Sequence, residues 1–328
     1  MRLLAVLLAA VASGQTITTL IGSGKPGLDA NSVNNPYGLI IGPDKALYFC
    51  EIDNHAVRRL DLKTKQVTSV ATGQQPYEVR FDAAGNLYFV DMPAHVVRRV
   101  DRKTKAVTTV AGTGQAGFSG DGGPAIKAEL KQPHSIAFDR DGALLICDIG
   151  NHRVRRVDKK SGVISTLLGT GERKPTPDGA KVAGTPFNGP RAIEVDRDGT
   201  LYLALREGNA VYSIDRKADR VTHIAGTGEK GMTGDNGPAT QAKLNGPKGI
   251  SLSRDRKLFL ADTENHAIRA IDLKTGVVTT VAGSGERGDG PEGDPLKCKM
   301  NRPHGIFAGA DGTLFIADSE AHRIRVVR

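Results

Sequence analysis

One recurrent position in this sequence collects side chains able to do chemistry. The residue following a repeated proline is, in turn, Tyr37, Tyr77, His134, Arg191, Lys248 and His304. Two imidazoles, two phenols and two cations, with Glu78 and Glu194 close by in the chain, suit an anionic small molecule. His134 and His304 are also candidate ligands for a divalent metal such as calcium or zinc. A water-filled rim with no ligand is the plainer alternative. These residues are far apart in sequence, so spacing alone imposes neither a Ser-His-Asp arrangement nor a carboxylate pair. Any chemistry they share depends on the elements that gather them.

Those elements form a repeat. The prolines are Pro36, Pro76, Pro133, Pro190, Pro247 and Pro303, at intervals of 40, 57, 57, 57 and 56 residues. The unit is clearest from Gln132 to Asp158, where three apolar runs too short for helices are closed by turn residues. A fourth run follows at Val163 to Leu168. Asp141-Gly142, Asp198-Gly199 and Asp311-Gly312 supply the positive φ that a tight hairpin requires. The last unit ends at Arg328 without a fourth strand, while Thr16 to Gly24 has the text of one, matching Val107 to Gly114 and Val278 to Gly285. The N-terminal strand should therefore complete the last unit and close a ring. The expected fold is all-β, a six-bladed β-propeller of four-stranded blades over residues 15–328.

The run Asp148-Ile149-Gly150-Asn151-His152-Arg153-Val154-Arg155-Arg156-Val157-Asp158 and its copy from Asp262 to Asp272 resemble the NHL repeat. Partial copies lie at Ile52 to Asp61, Asp91 to Asp101 and Asp318 to Val327, so the resemblance spans residues 16–328. It implies the propeller strongly and the function weakly, because NHL propellers include protein-binding, RNA-binding and enzymatic members. Six-bladed propellers of related topology include lactonases and a lyase acting on hydroxyglycine peptides, with metal at the axial channel. By that resemblance the candidates here are His134, His304, Glu78 and Glu194.

The repeated Asp, His and Arg read as framework, since a group needed for chemistry appears once or twice and a group needed to build a blade appears in most. His55, His95, His152, His266 and His322 recur at one position, with Asn209 in the fourth unit. They are expected to hydrogen-bond across the turn between the second and third strands. One arginine of each pair Arg58-Arg59, Arg98-Arg99 and Arg155-Arg156 should lie between blades. The Asp139 to Gly142 and Asp196 to Gly199 pieces resemble the start of a calcium loop but lack its downstream acid, and read as hairpin turns. The fourth unit, Ala204 to Ser213, lacks the Asp, His and paired Arg, through drift or through adaptation to a partner.

Four connections between units are long: Gly112 to Gln132, Gly169 to Gly189, Gly226 to Gly246 and Gly283 to Arg302. Thr72 to Gln75 is short. Long loops confined to one face of a compact fold are often functional. Val33, Leu130, Phe187, Leu244 and Met300, each three residues before the proline, should pin them. Phe118 to Ala125 and Met232 to Ala239 carry near-identical Gly-Asp text, read as internal loop packing with anion or calcium binding as the alternative.

Met1 to Gly14 has the layout of a secretory signal peptide: Arg2, the apolar run Leu3 to Ala12, then small residues. Cleavage after Ala12 or after Gly14 remains open. No later stretch is apolar enough for a transmembrane segment, so the mature protein is expected to be secreted or periplasmic, and monomeric. Cys50 and Cys147 occupy equivalent places two repeats apart, out of bonding reach of each other. The formal net charge of +9 arises largely from lysines in the third-to-fourth strand turns, such as Lys63, Lys65, Lys103 and Lys105. Nucleic acid is not the expected partner, given the leader and the want of an aromatic stacking strip. The expected function is a recognition scaffold for a protein, peptide or glycan, with a metal-dependent hydrolase or lyase as the alternative.

Overall fold

A computed structural model describes residues 14–29 and 31–328; the leader expected at Met1 to Gly14 falls, apart from Gly14, outside them. Each unit folds into an antiparallel sheet of four strands, joined in the fifth unit by the two-residue strand Gly237–Pro238, and the six sheets form a propeller. From the axis outward, blade 1 is Pro36–Ile41, Leu47–Glu51, Ala56–Leu60 and Val67–Thr72. Blade 2 is Pro76–Phe81, Leu87–Asp91, Val96–Val100 and Val107–Ala111. Blade 3 is Pro133–Phe138, Leu144–Asp148, Arg153–Val157 and Ile164–Leu168. Blade 4 is Pro190–Val195, Leu201–Leu205, Ala210–Asp215 and Arg220–Ala225. Blade 5 is Pro247–Leu252, Lys257–Asp262, Ala267–Asp272 and Val277–Ala282. Blade 6 is Pro303–Ala308, Leu314–Asp318, Arg323–Val327 and, as its outer strand, Ile17–Ile21.

The N-terminal strand pairs as its text requires, with Ile17 opposite Val327 and Thr19 opposite Arg325. Burial on both faces of most inner strands means that no single core exists. The apolar interior divides into six clusters, each sandwiched between neighbouring blades. Cys50, Cys147 and Cys298 are free thiols in these layers. Val33, Leu130, Phe187, Leu244 and Met300 are fully buried, so the loops are pinned as expected. Among the described residues no helix is long and apolar enough to cross a membrane.

The recurrent histidines act differently from the expectation. Their own turns are closed by backbone bonds, as from His152 N–H to Ile149 O, with the histidine itself in the left-handed region at φ +52°. That leaves the imidazole free to reach the next blade. Nδ1 of His322, His95, His152 and His266 accepts the backbone N–H of Asn35, Gln132, Gly189 and Arg302 at 3.0–3.2 Å. Asn209 Oδ1 accepts from Gly246 N–H in the same place at 2.9 Å. Histidine and asparagine both tolerate left-handed backbone better than β-branched residues and both carry the acceptor. The rings are therefore latches between blades.

The recurrent arginine pairs with the recurrent acid and then with a loop. In blade 3, Arg155 is fully buried, near Asp148 at 3.5 Å and bonded to loop Asp121 at 2.6 Å. Blade 5 repeats this with Arg269, Asp262 and Asp235, and blade 6 with Arg325, Asp318 and Asp289. The Gly-Asp text thus serves loop packing. Blade 4 replaces the whole set at once: Leu205 and Tyr212 stand where the acid and arginine would, and Tyr212 Oη donates to Thr176 O of the overlying loop at 2.9 Å. Asp139 closes its hairpin by accepting from the N–H groups of Asp141 and Ala143.

Candidate ligand site at the channel mouth

The inner strands converge so tightly that the second residue after each proline has little room. A Cβ on Gly305 would sit 2.2 Å from Tyr37 O, and one on Gly249 would sit 2.4 Å from His304 O. Gly38, Ser135, Ala192, Gly249 and Gly305 hold this position in five blades, and Glu78 in the sixth. The first residue after each proline is thereby delivered to the top of the axial channel.

There the predicted residues make an almost continuous ring. Tyr37 stacks on His304 with centroids 4.0 Å apart, and meets Tyr77 edge-on at 5.0 Å. Tyr77 meets His134 edge-on at 5.3 Å. Across the other side Lys248 Nζ lies 2.9 Å from His304 Nε2 and 3.1 Å from Glu264 Oε1. Nδ1 of His304 donates to Arg302 O and Nδ1 of His134 to Gln132 O, both at 2.8 Å. Because a carbonyl only accepts, both rings carry their hydrogen on Nδ1, and His304 Nε2 accepts from Lys248.

Charge in this ring is unevenly compensated. Burial, then the cations Lys248 and Arg191, push His304 well below the ordinary imidazole range. Burial and Arg191 do the same to His134. Burial brings Lys248 down to about 7, with Glu264 opposing and Arg191 and Arg302 reinforcing. Burial opposes the ionisation of Glu264, yet Arg302 and Lys248 outweigh it and hold Glu264 at about 2. Arg302 is itself shared between Glu264 and Glu320 at 2.6 Å each. Arg191 is the exception. It is 5% exposed, and among the described residues no hydrogen-bond or ion-pair partner reaches its guanidinium.

Below this ring lies a triad that the sequence did not reveal. Arg80 Nη1 bonds Glu78 Oε1 at 2.5 Å, and its Nη2 reaches Glu194 Oε1, two blades away, at 3.1 Å. The signal was present at the fourth residue after each proline: Ile40, Arg80, Ala137, Glu194, Ser251 and Phe307, where only two carry charge and their signs are opposite. This changes the metal expectation. Glu78 and Glu194 are engaged by a guanidinium, and His304 Nε2 is engaged by Lys248. Among the described residues no group of three or more His, Cys, Asp or Glu is placed to hold an ion. The donor set does not fit calcium or zinc.

The residues from 22 to 177 and from 218 to 301 match the Teneurin NHL domain family, and residues 300–327 match the NHL repeat. The chain belongs to the NHL-repeat β-propellers. The family match passes over residues 178–217, which include most of the divergent blade 4. NHL repeat-containing protein 2 of Bos taurus is 27% identical over 341 residues, covering 94% of this chain and 41% of that protein. This NHL chain thus spans about two fifths of that relative's length. Among solved structures, an auxiliary nutrient binding protein from Bacteroides thetaiotaomicron superposes with a TM-score of 0.74 at 18% identity, covering 96% of this chain and 76% of that one. A gluconolactonase from Xanthomonas campestris superposes at 0.65 with 13% identity, covering 99% and 93%. At these identities the likeness is one of fold.

Proposed function

We propose that this NHL propeller is an exported binding module that takes an anionic group of its partner, a protein, peptide or glycan, into the channel mouth. The observation that carries the reading is Arg191, a 5% exposed arginine with no carboxylate in ion-pair contact among the described residues, close to Lys248 and to the neutral His134 and His304. A buried cation that lacks its counter-ion is costly, and a ligand carboxylate or phosphate relieves that cost. Tyr37 and Tyr77 supply flat apolar walls beside it. The description of a structural neighbour as a nutrient binding protein is consistent with capture rather than turnover. The metal-dependent hydrolase or lyase alternative loses support with the donor set described above.

Titration calorimetry with citrate, an oligogalacturonate and an acidic peptide tests the reading. Arg191→Gln is expected to weaken whichever binds by at least about thirtyfold, or about 2 kcal/mol for a buried charge-assisted contact. Unchanged affinity in that variant, with its melting point retained, would remove the mouth from consideration.

The same site predicts a pH dependence. Lys248 faces His304, Glu264, Arg191 and Arg302, and in the free protein it loses its proton near pH 7. An anion binds the protonated form better, so binding raises this pKa. Affinity should be flat below about 7 and fall by up to tenfold per pH unit above it, until the pKa of the complex is passed. Lys248→Met should flatten the profile, whereas a slope that persists in that variant would assign it elsewhere.

A further inference from the structure

The outer strands of the six blades are not equally covered. The loop entering blade 3 lays Gly122 and Gly123 on Ile164, with Gly122 N–H donating to Ile164 O and Ile164 N–H to Gly123 O, both at 2.9 Å. Just before that pairing, loop Asp121 reaches Arg155 at 2.6 Å and accepts from Thr166 Oγ1 at 2.7 Å. Blade 5 is covered in the same way. Gly237 pairs with Val278, and Asp235 meets Arg269 at 2.8 Å and Thr280 Oγ1 at 2.7 Å. The receptor for these loops is thus an arginine, a threonine opposite it, and the outward backbone of one outer-strand residue.

Blade 2 has the whole receptor and no loop. Arg98 stands opposite Thr109 as Arg155 stands opposite Thr166, and Val107 pairs with Val100 as Ile164 pairs with Val157. The connection entering blade 2 is only residues 73–75, too short to reach this edge. As a result Val107 is 39% exposed, where Ile164 and Val278 are fully buried. The side chain of Arg98 is 27% exposed, against 0% for Arg155 and Arg269. An open cleft of about 390 Å³ lies here, lined by Val96, Arg98, Thr109, Gly112 and Gly114, with exposed Ile126 at its edge. Arg98 keeps its bond to Asp91 at 2.8 Å, yet finds Thr109 Oγ1 only at 3.4 Å where the sister blades hold a carboxylate.

We propose that the outer edge of blade 2 is a docking site for an extended, aspartate-bearing segment of a partner protein. The segment adds a short strand to Val107 and places its carboxylate on Arg98 and Thr109, as the chain's own loops do on blades 3 and 5. Main-chain pairing along an open sheet edge provides the general affinity, and the Arg–Thr pair provides selection for aspartate. Phe118, three places before the aspartate, lies against Arg153 and Arg155 in blade 3, and in blade 2 the place of Arg153 is taken by apolar Val96, with Ile126 beside it in the cleft lining. This site is separate from the channel mouth and does not depend on the reading given for it.

The test uses the full chain and a labelled peptide, Gly-Phe-Ser-Gly-Asp-Gly-Gly-Pro, copied from residues 117–124. Saturable binding by fluorescence anisotropy is expected. Asparagine in place of the peptide's aspartate should weaken it about tenfold or more, the scale of one charge-assisted pair. Because Arg98 also neutralises buried Asp91, Thr109→Val and Val107→Pro carry the test on the protein side. Each should weaken the peptide at least about fivefold, on the same scale, while the melting midpoint of the protein is retained. No saturable binding, equal affinity for the asparagine peptide, or equal affinity in Thr109→Val overturns the proposal. Dimerisation of the chain that Val107→Pro abolishes would assign the edge to a second copy and overturn it as well.

Discussion

A chain that begins at residue 22 should be less stable than one beginning at residue 15 by about 5 kcal/mol, and its melting midpoint lower by about 10 °C. The loss follows from what Ile17–Ile21 covers. Ile17 is fully buried and Ile21 is 8% exposed, each worth about 1.5–3 kcal/mol of burial. Their removal also bares Val327 and Ile324, buried residues on the facing strand. Opening the ring leaves Arg323–Val327 as an unpaired edge, which invites aggregation. Calorimetry on the two chains measures the difference, and a peptide of residues 15–24 added in excess should recover part of it. A shorter chain that melts at the original temperature as a monomer would show that blade 6 is closed by something else.

The second large effect concerns the buried ion pairs. Arg269→Leu leaves Asp262, which is fully buried, without its charge partner, and strands loop Asp235 as well. Breaking a buried pair on one side costs about 3–5 kcal/mol, because the remaining charge stays desolvated. Blade 4 shows how the protein itself does without the pair. Carrying its solution across, as Asp262→Leu with Arg269→Tyr, should recover at least half of the loss, since apolar replacements of buried pairs are often neutral. Denaturant unfolding of the wild type, the single variant and the double variant measures both steps. If the double variant were no better than the single one, the blade 4 arrangement would depend on Thr176 and its own loop rather than on the exchange itself.

The fold was legible because the repeated text is also the repeated geometry. A proline opens each inner strand, an apolar residue three places earlier pins the loop in five of the six units, and Thr16 to Gly24 copies the outer strand of other blades. The mouth was legible for a related reason: the position after the proline varies in type while its surroundings recur. What escaped was whatever joins one repeat to another. The sequence could assign a hydrogen bond to His152 but not its partner, because Gly189 and the residues of its own turn are equally plausible in text. The Asp of the loop text read as internal loop packing and the Arg of the blade text as lying between blades, with nothing to join the two, yet Asp121 and Arg155 bond one another across 34 residues. Arg80 and Glu194 are 114 residues apart, and only the closure of six strands about an axis brings them together.

The latches made by the histidines have a consequence for the molecule as a whole. Five of the six seams carry such a latch, and His322 fastens the first blade to the last. An open stack of repeats can peel from its tips, one unit at a time. Here there is no tip. Loss of any one sector slackens two seams at once, so the propeller is built to stand or melt as a single body rather than in instalments.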